Sequence, residues 1–176
     1  MNLLDDVRRL LEGANIRYAV VGAAALAYRG VSRATVDVDL LTMDPRVIEA
    51  SLWDSLSSRD AQVERRIGEP DDPLAAVVRL RRAQDREVDV ILGRPAWQRE
   101  VIDRAELLGS GPDRVPVARV PDLILLKLYA GAPQDAWDIR QLLGESPDQE
   151  VVAEVDRRLS ALPPDARTLW QRVQGG

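Results

Sequence analysis

The chain has 176 residues, 45% of them hydrophobic, and this size suits one compact domain. Its net charge of −5 excludes nucleic-acid binding through overall positive charge, so any such contact would need a local basic patch. The chain contains no cysteine and no histidine, which excludes disulfides, Cys/His zinc sites, thiol nucleophiles and acid–base catalysis by histidine.

No segment of the sequence indicates export or membrane insertion. The first residues, MNLLDDVRRLLEG, are amphipathic and acidic and lack the basic start of a signal peptide. No apolar run approaches the ~18 residues that a membrane span requires. We therefore expect a cytoplasmic protein with no membrane partner.

The first half of the chain is predicted to be rich in strands. Apolar residues at helical spacing predict a helix that stops at Gly13, followed by a buried strand, IRYAVVG, that ends at Gly22. AAALAYRG is typical of a short helix closed by Gly30, and VDVDLLT is typical of a second strand. Asp44 as N-cap, with Pro45 after it, predicts a helix over DPRVIEASLWDSLSS. Further strands are predicted at QVERRI and in a hairpin formed by LAAVVRLRR and REVDVIL.

The second half is predicted to be mainly helical. Helices are expected at PAWQREVIDRAELL, PDLILLKLYAG and DAWDIRQLLGE and twice more near the C-terminus, with a short extended segment at VPVARV. Together the elements predict an α+β fold, a mixed twisted sheet flanked by helices, with a helical C-terminal part. We divide the chain into an α/β core over 1–94 and a mainly helical part over 95–176 that packs on the core to give a single compact unit.

Two aspartates stand two residues apart in the second predicted strand. Residues i and i+2 of a strand face the same side, so Asp37 and Asp39 should repel each other unless a counter-charge such as Mg²⁺ joins them. Asp89 lies in a similar apolar strand, and if the two strands are neighbours the three carboxylates converge, which is enough for two metal ions. The alternative is a pair of half-exposed strands whose polar residues need no metal.

Gly22 connects the first predicted strand directly to a helix. Such a junction offers free backbone N–H groups, and a glycine there allows a phosphate to approach the chain closely. Close packing of the helix on the strand would explain the same glycine. Here the junction precedes Asp37 by fifteen residues, so the helix can return the chain to a neighbouring strand and place a phosphate site beside the carboxylates.

The stretch YAVVGAAALAYRGVSRATVDVDLLT resembles the signature of the DNA polymerase β-type nucleotidyltransferases. That signature is an apolar strand, a Gly-Gly or Gly-Ser pair, a helix, and Asp-x-Asp on the next strand. The form G-x-x-R-x-T-x-D-x-D is typical of the minimal, AbiEii-like members and corresponds here to Gly30, Arg33, Thr35, Asp37 and Asp39. The resemblance implies the α/β nucleotidyltransferase fold, with Asp89 as the third carboxylate of the family.

A later stretch, LILLKLYAGAPQDAWDIRQLL, resembles a second element of AbiEii-like proteins, a helical lysine followed by two aspartates on the next helix. They correspond to Lys127, Asp135 and Asp138, and Lys127 is the only lysine among 24 basic residues. An ammonium group acts on phosphate as a point charge. Alternatively, Lys127 extends its charge to solvent, and the two aspartates cap a helix and pair with Arg140.

The resemblance implies an enzyme that moves a nucleoside monophosphate from an NTP to an acceptor hydroxyl and releases pyrophosphate. Mg²⁺ or Mn²⁺ would be held by the three carboxylates, and Asp89 could also assist deprotonation of the acceptor. The remaining residues expected at the nucleotide are Gly22, Ala23, Arg33, Thr35, Lys127 and Asp138. The resemblance further suggests the toxin of a toxin–antitoxin pair. Family members of this kind modify the 3′ end of tRNA or a protein side chain, so the resemblance implies tRNA as the acceptor and an antitoxin as partner.

Two alternatives stay open for the function. One is transfer to a protein or an aminoglycoside-type acceptor, because the acidic charge of the chain fits a cationic acceptor. The other is a non-catalytic binding protein of the same fold, because Ala23 replaces the second Gly or Ser of the family signature. Alanine keeps the backbone N–H but has no hydroxyl for the terminal phosphates.

An arginine cluster surrounds the predicted hairpin. It could hold phosphates of RNA or of the nucleotide, or it could form a solvated face balanced by Asp85 and Glu87. Its members are Arg79, Arg81, Arg82 and Arg86, and we expect Arg65 and Arg66 of the strand QVERRI close by.

Overall fold

The chain folds around a mixed β-sheet. A computed structural model describes residues 2–32, 37–111 and 114–175. The strands in these ranges are β1 (Tyr18–Val21), β2 (Val38–Thr42), β3 (Gln62–Ile67), β4 (Leu74–Arg81), β5 (Val88–Gly93), β6 (Glu106–Leu108) and β7 (Val115–Val117). They form one sheet in the order β3-β4-β5-β2-β1-β7-β6.

The centre of the sheet is β2, which runs parallel to β5 and antiparallel to β1. On one side β5 continues into β4 and β3 through antiparallel pairs, so the predicted hairpin and the strand before it are confirmed. On the other side β1 pairs in parallel with β7, which pairs antiparallel with β6. This mixed sheet with flanking helices confirms the predicted α+β class.

The helices flank the sheet and dominate the C-terminal part. They are α1 (Leu3–Gly13), α2 (Gly22–Tyr28), α3 (Asp54–Ser57), α4 (Gln98–Asp103), α5 (Val120–Ala130), α6 (Asp135–Leu143), α7 (Gln149–Arg158) and α8 (Pro164–Gln174). The predicted end of α5 is confirmed, because Gly131 adopts the left-handed conformation of a helix stop. No helix of the described residues is long and apolar enough to cross a membrane.

The long helix predicted after Asp44 is wrong. Asp44 does cap a turn, and its side chain accepts from the Arg46 N–H at 3.0 Å, but that turn is a 3₁₀ helix over Pro45–Ile48. Glu49 is extended at φ −74° and ψ 129°, which breaks the helix before a second 3₁₀ turn and the short α3. The buried Trp53 holds this tighter path, since its indole N–H donates to the Val47 carbonyl at 2.8 Å.

The helix predicted over PAWQREVIDRAELL is also too long. The α-helix covers only Gln98–Asp103, and Glu106–Leu108 is β6. The pairing of β6 with β7 satisfies backbone groups that would otherwise be exposed at the edge of the sheet. This tertiary contact outweighs the local helical pattern.

Two buried clusters form the core and meet on α5. The first cluster lies around the sheet and includes Leu123 of α5. The second lies among the helices α5 to α8 and includes Ile124, the next residue of α5. The side chains of Trp97 and Leu142 pack against both clusters. The division of the chain at residue 94 stays a prediction; β6 and β7, which complete the sheet, come from the part after it.

Candidate active site

The structure brings two of the three predicted carboxylates together. In the parallel pair of β2 and β5, Asp39 lies directly opposite Asp89, and in the antiparallel pair with β1 it lies opposite Val21. Asp89 is 8% exposed, Asp39 is half-buried, and Asp37 is exposed just before the first residue of β2. The predicted neighbourhood of the two strands is confirmed, whereas the roles of the carboxylates stay predictions.

Negative charge accumulates around Asp39. The pKa of Asp39 is raised to about 6, mainly by burial and also by the charges of Asp89 and Asp37, while Lys127 and Arg79 act in the opposite direction. A bound cation would reduce the repulsion between these carboxylates and would therefore be stabilised at this site. The donor set fits Mg²⁺ or Mn²⁺, because Mg²⁺ commonly uses one or two carboxylates and completes its shell with water and substrate phosphates.

The acidic side chains described at this site do not by themselves complete the ligand shell of a metal ion. Among the described residues, no group of three or more acidic side chains is arranged to hold a metal ion. The fit to a metal therefore depends on Asp37 and Asp39 together with phosphate oxygens from a nucleotide.

Gly22 is in close contact with Asp39. It begins α2 immediately after β1 and has a φ of +62°. A Cβ atom at this position would lie 1.9 Å from Asp39 Oδ2, so no other residue fits without moving the carboxylate. Backbone N–H groups at the start of α2 and the Asp39 carboxylate thus share one small region, in which Ala23 follows Gly22 as a half-buried residue.

Lys127 is held by the two aspartates of the next helix. Its Nζ lies 2.8 Å from Asp135 Oδ1 and 2.7 Å from Asp138 Oδ2, and the Ala132 N–H donates to Asp135 Oδ2 at 2.7 Å. Burial lowers the pKa of Lys127, but the hydrogen bonds to Asp135 and Asp138 outweigh it and the net shift is upward, so Lys127 stays charged.

This arrangement decides between the alternatives for these residues. Asp135 and Asp138 are 2% and 0% exposed, so they are buried partners of Lys127 and not exposed partners of Arg140. Lys127 does not extend into solvent, since only 17% of its side chain is exposed. The role of Asp138 at the nucleotide stays a prediction, and Arg33 and Thr35 lie outside the described residues.

Sequence reasoning missed the position of Arg79. It lies opposite Asp89 in the β4–β5 pair, and its Nε and Nη2 donate to Asp89 Oδ1 and Oδ2 at 2.9 and 2.7 Å. Arg79 also forms an ion pair with Glu87 at 2.9 Å, and the hydrogen bonds to Asp89 raise the pKa of Arg79 above its usual range. The available signal was the alternation of arginines on one strand and acids on the other.

Other arginines of the cluster are paired as well. Arg81 binds Glu87 and lies 3.4 Å from Glu64, and Arg82 lies 2.8 Å from Asp6 and 3.5 Å from Asp85. The balanced-face interpretation therefore fits these two residues.

A cleft runs from the carboxylates across the outer strands of the sheet. Its volume is about 380 Å³, which falls in the range of small-molecule sites. Charged groups at its walls surround an apolar floor; the lining residues are Asp39, Glu64, Arg66, Leu74, Val77, Arg79, Asp89 and Ile91.

Comparison with known proteins identifies the fold. No family model and no curated protein matches the sequence. The solution structure of the antibiotic-resistance factor ANT(2'')-Ia is similar at a TM-score of 0.54 with 16% identity, covering 90% of both chains. The crystal structure of ANT(2'')-Ia with adenylyl-2''-tobramycin is similar at a TM-score of 0.53 with 16% identity, and the match covers 90% of this chain and 95% of that one. The lincomycin-bound lincosamide antibiotic adenylyltransferase LnuA is similar at a TM-score of 0.52 with 13% identity, and the match covers 81% of this chain and 98% of that one.

The chain has the nucleotidyltransferase fold. The implied fold is thereby confirmed, and the AbiEii-like subtype stays a prediction. At 13–16% identity the similarity extends to the fold alone.

Proposed function

We propose that the protein is a metal-dependent nucleotidyltransferase that moves a nucleoside monophosphate from an NTP to an acceptor hydroxyl and releases pyrophosphate. The observation that carries this proposal is the position of Asp39, which lies beside Asp89 on the neighbouring parallel strand and against the backbone of Gly22. Carboxylates and a phosphate-accessible backbone in one place are what a metal–triphosphate complex requires. The shared fold supports the same function.

The side chains divide the work of the reaction. Asp37, Asp39 and Asp89 are the candidate metal ligands, and Mg²⁺ or Mn²⁺, when bound, would offset the charge of the triphosphate. Gly22 and Ala23 would donate backbone N–H groups to phosphate oxygens. Attack by the acceptor hydroxyl on the α-phosphate would proceed in line, with catalysis from positioning and electrostatics.

Lys127 contributes a fixed positive charge near the reacting groups. Its charge lowers the pKa of Asp39, which places it within electrostatic reach of the carboxylates. Asp135 and Asp138 hold the ammonium in place. Its charge would offset that of the departing pyrophosphate. Arg33, which the sequence pattern predicts at the nucleotide, would add a second positive charge.

A small cationic molecule is the best-supported acceptor. The cleft has the volume of a small-molecule site. Its three carboxylates, Asp39, Glu64 and Asp89, outnumber the guanidinium groups of Arg66 and Arg79, and this excess of negative charge attracts amino groups. The similar structures were determined with adenylyl-2''-tobramycin and lincomycin, both small molecules.

The second candidate acceptor is the 3′ end of tRNA, with the protein as the toxin of a toxin–antitoxin pair. The observation that favours it is the Lys127–Asp135–Asp138 cluster, which has the residues of the AbiEii-like element in mutual contact. An antitoxin would then be the protein partner. Arg81 and Arg82, which an RNA would need near the cleft, are instead engaged by acidic side chains.

Transfer of labelled nucleotide tests these proposals. The protein is incubated with each α-labelled NTP and Mg²⁺, and with separate pools of aminoglycosides, lincosamides, total RNA and cellular protein. We expect label in a small-molecule pool with wild type and none with Asp39→Asn. Asp103→Asn is the matched control, because Asp103 is 45% exposed and forms a surface ion pair with Arg17.

The pool that acquires label identifies the class of acceptor. Label in the RNA pool supports the tRNA candidate, and label in protein supports a side-chain hydroxyl as acceptor. If no pool acquires label although the protein binds NTP, the enzyme proposal fails and the chain is a non-catalytic binding protein.

A further inference from the structure

Both carboxylate oxygens of Asp89 are already bound by a cation of the protein itself. Arg79 Nε and Nη2 donate to Asp89 Oδ1 and Oδ2 at 2.9 and 2.7 Å, the bidentate geometry in which arginine binds carboxylates most strongly. The same guanidinium lies 2.9 Å from Glu87. Asp89 is 8% exposed, whereas the Arg79 side chain is 40% exposed, so the carboxylate is the buried partner of this pair.

The backbone fixes where this guanidinium lies. Arg79 is directly opposite Asp89 in the β4–β5 pair, and Asp89 is directly opposite Asp39 in the β5–β2 pair. The three side chains therefore stand in one row across three adjacent strands, on the face that lines the cleft. The row places the positive charge at the outer end and Asp39 at the inner end.

A divalent ion at Asp89 would stand next to this guanidinium. Two positive charges in contact with the same carboxylate repel each other, and the repulsion is larger where water is excluded. We propose that Arg79 takes the place of a second metal ion at Asp89, so that the site binds one divalent ion, at Asp37 and Asp39. This inference rests on the proposed function and changes one of its assignments, because Asp89 then holds Arg79 in place of a metal.

The arrangement gives Arg79 a role in the cleft. A guanidinium has five N–H donors, and two of them are used on Asp89. The remaining donors belong to a side chain that is 40% exposed and lines the cleft, where phosphate or acceptor oxygens could accept from them. Unlike a metal ion, this cation is permanent and does not leave with the product.

Counting bound Mn²⁺ tests the proposal. Free Mn²⁺ is measured by electron paramagnetic resonance during titration of the nucleotide-free protein. We expect one Mn²⁺ per chain for wild type, still one for Asp89→Asn, and two for Arg79→Met. Asp39→Asn should lose the single ion.

Arg81→Met is the matched control. Arg81 lies two residues further along β4, is 46% exposed and also binds Glu87, but its other partner is Glu64 and not Asp89. Its removal takes the same charge from the same strand and should leave the count at one. Two ions in Arg81→Met would show that a general loss of positive charge is sufficient, and would overturn the specific role of Arg79.

Other outcomes overturn the inference directly. They are two ions in wild type with one lost in Asp89→Asn, no ion in wild type, or a single ion in correctly folded Arg79→Met. If Arg79→Met does not fold, the wild-type and Asp89→Asn counts still decide between one ion and two. Circular dichroism of each variant establishes folding.

The label-transfer experiment separates this inference from the proposed function. If the wild-type protein transfers label but binds two Mn²⁺, the proposed function is supported and the inference about Arg79 is wrong. Absence of transfer to any acceptor, with one ion in wild type and two in Arg79→Met, removes the function and leaves the assignment of Arg79.

Discussion

At the scale of single residues, the position of Asp39 depends on the absence of a side chain at Gly22. A methyl group at Gly22 would overlap Asp39 Oδ2 and would also have to adopt a φ of +62°. We expect Gly22→Ala to reduce nucleotide transfer roughly 100-fold, because a displacement of about 1 Å of a positioned group has effects of this size. The measurement is the initial rate of label transfer.

Gly30→Ala is the control for backbone strain. Gly30 has a φ of +86°, but a Cβ there would meet no atom of the described residues within 4 Å. A left-handed alanine should lower the free energy of unfolding by about 1 kcal/mol in both variants, and the overlap with Asp39 adds to this loss in Gly22→Ala. Only Gly22→Ala should lose transfer; equal loss in both variants would show that strain, and not the contact with Asp39, is responsible.

Ala23 is the residue at which the chain departs from the signature that it otherwise resembles. A hydroxyl here would stand at the first turn of α2, beside the backbone N–H groups proposed for the phosphates. We expect Ala23→Ser to lower KM for the NTP several-fold, because a hydroxyl adds a hydrogen bond of about 1 kcal/mol. Steady-state kinetics provide the measurement.

Ala27→Ser is the control for the serine itself. Ala27 is exposed, on the same helix, and one turn further from Gly22. A fall of KM in both variants would attribute the effect to the helix in general, and an unchanged KM in Ala23→Ser would remove Ala23 from the phosphate site.

The sequence allowed the strand positions of Asp39 and Asp89 and the strand–helix junction at Gly22 to be predicted, because each has a strong local signal, whereas Asp37 lies before β2 and not within it. A charge inside an apolar strand, or a glycine between strand and helix, is visible without knowledge of the fold. The pairing of Arg79 with Asp89 was not visible, because it depends on the register of β4 against β5, and a shift by one residue would turn Arg79 to the opposite face. Cross-strand partners of this kind require the structure.

At the scale of elements, α5 and α6 are joined through one buried cation. Lys127 on α5 is the partner of Asp135 and Asp138 on α6, both almost fully buried. Without the ammonium, two carboxylates remain buried side by side. We expect Lys127→Met to lower the free energy of unfolding by about 3 kcal/mol, the scale measured for the removal of one partner from a buried ion pair.

A double-mutant cycle checks that this loss comes from the pairs. Urea unfolding of Lys127→Met, Asp138→Asn and the double variant gives the coupling energy. Removal of both charges should cost less than the sum of the single losses, because the double variant has one buried charge fewer left unpaired. Additive losses would contradict the proposed buried triad.

Elements whose signals are local were predicted well, and those that depend on tertiary contacts were not. The end of α5 at Gly131 and the β4–β5 hairpin follow from a stop residue and from alternating patterns. The segment after Asp44 has a good N-cap and a proline, but it forms two 3₁₀ turns, and the indole of the buried Trp53 donates to the Val47 carbonyl. β6 forms because β7 is beside it, which no local pattern shows.

At the scale of the whole molecule, the sheet and the C-terminal helices form two cores that share one helix. Leu123 belongs to the core around the sheet and Ile124 to the helical core, although they are adjacent on α5. Trp97 and Leu142 pack against both. Neither core can separate from the other without the exposure of one side of α5, so cooperative unfolding is expected.

The test is a cavity placed in each core in turn. Ile139→Ala acts in the helical core and Leu40→Ala in the core around the sheet, and both side chains are 0% exposed. Each variant should lower the free energy of unfolding by about 3 kcal/mol, within the usual range for such truncations. In urea, circular dichroism and tryptophan fluorescence should report the same single transition with an unchanged m-value. Two transitions in Ile139→Ala, with the later one at the wild-type urea midpoint, would contradict cooperative unfolding of the two cores. The core around the sheet would then be stable without the C-terminal helices.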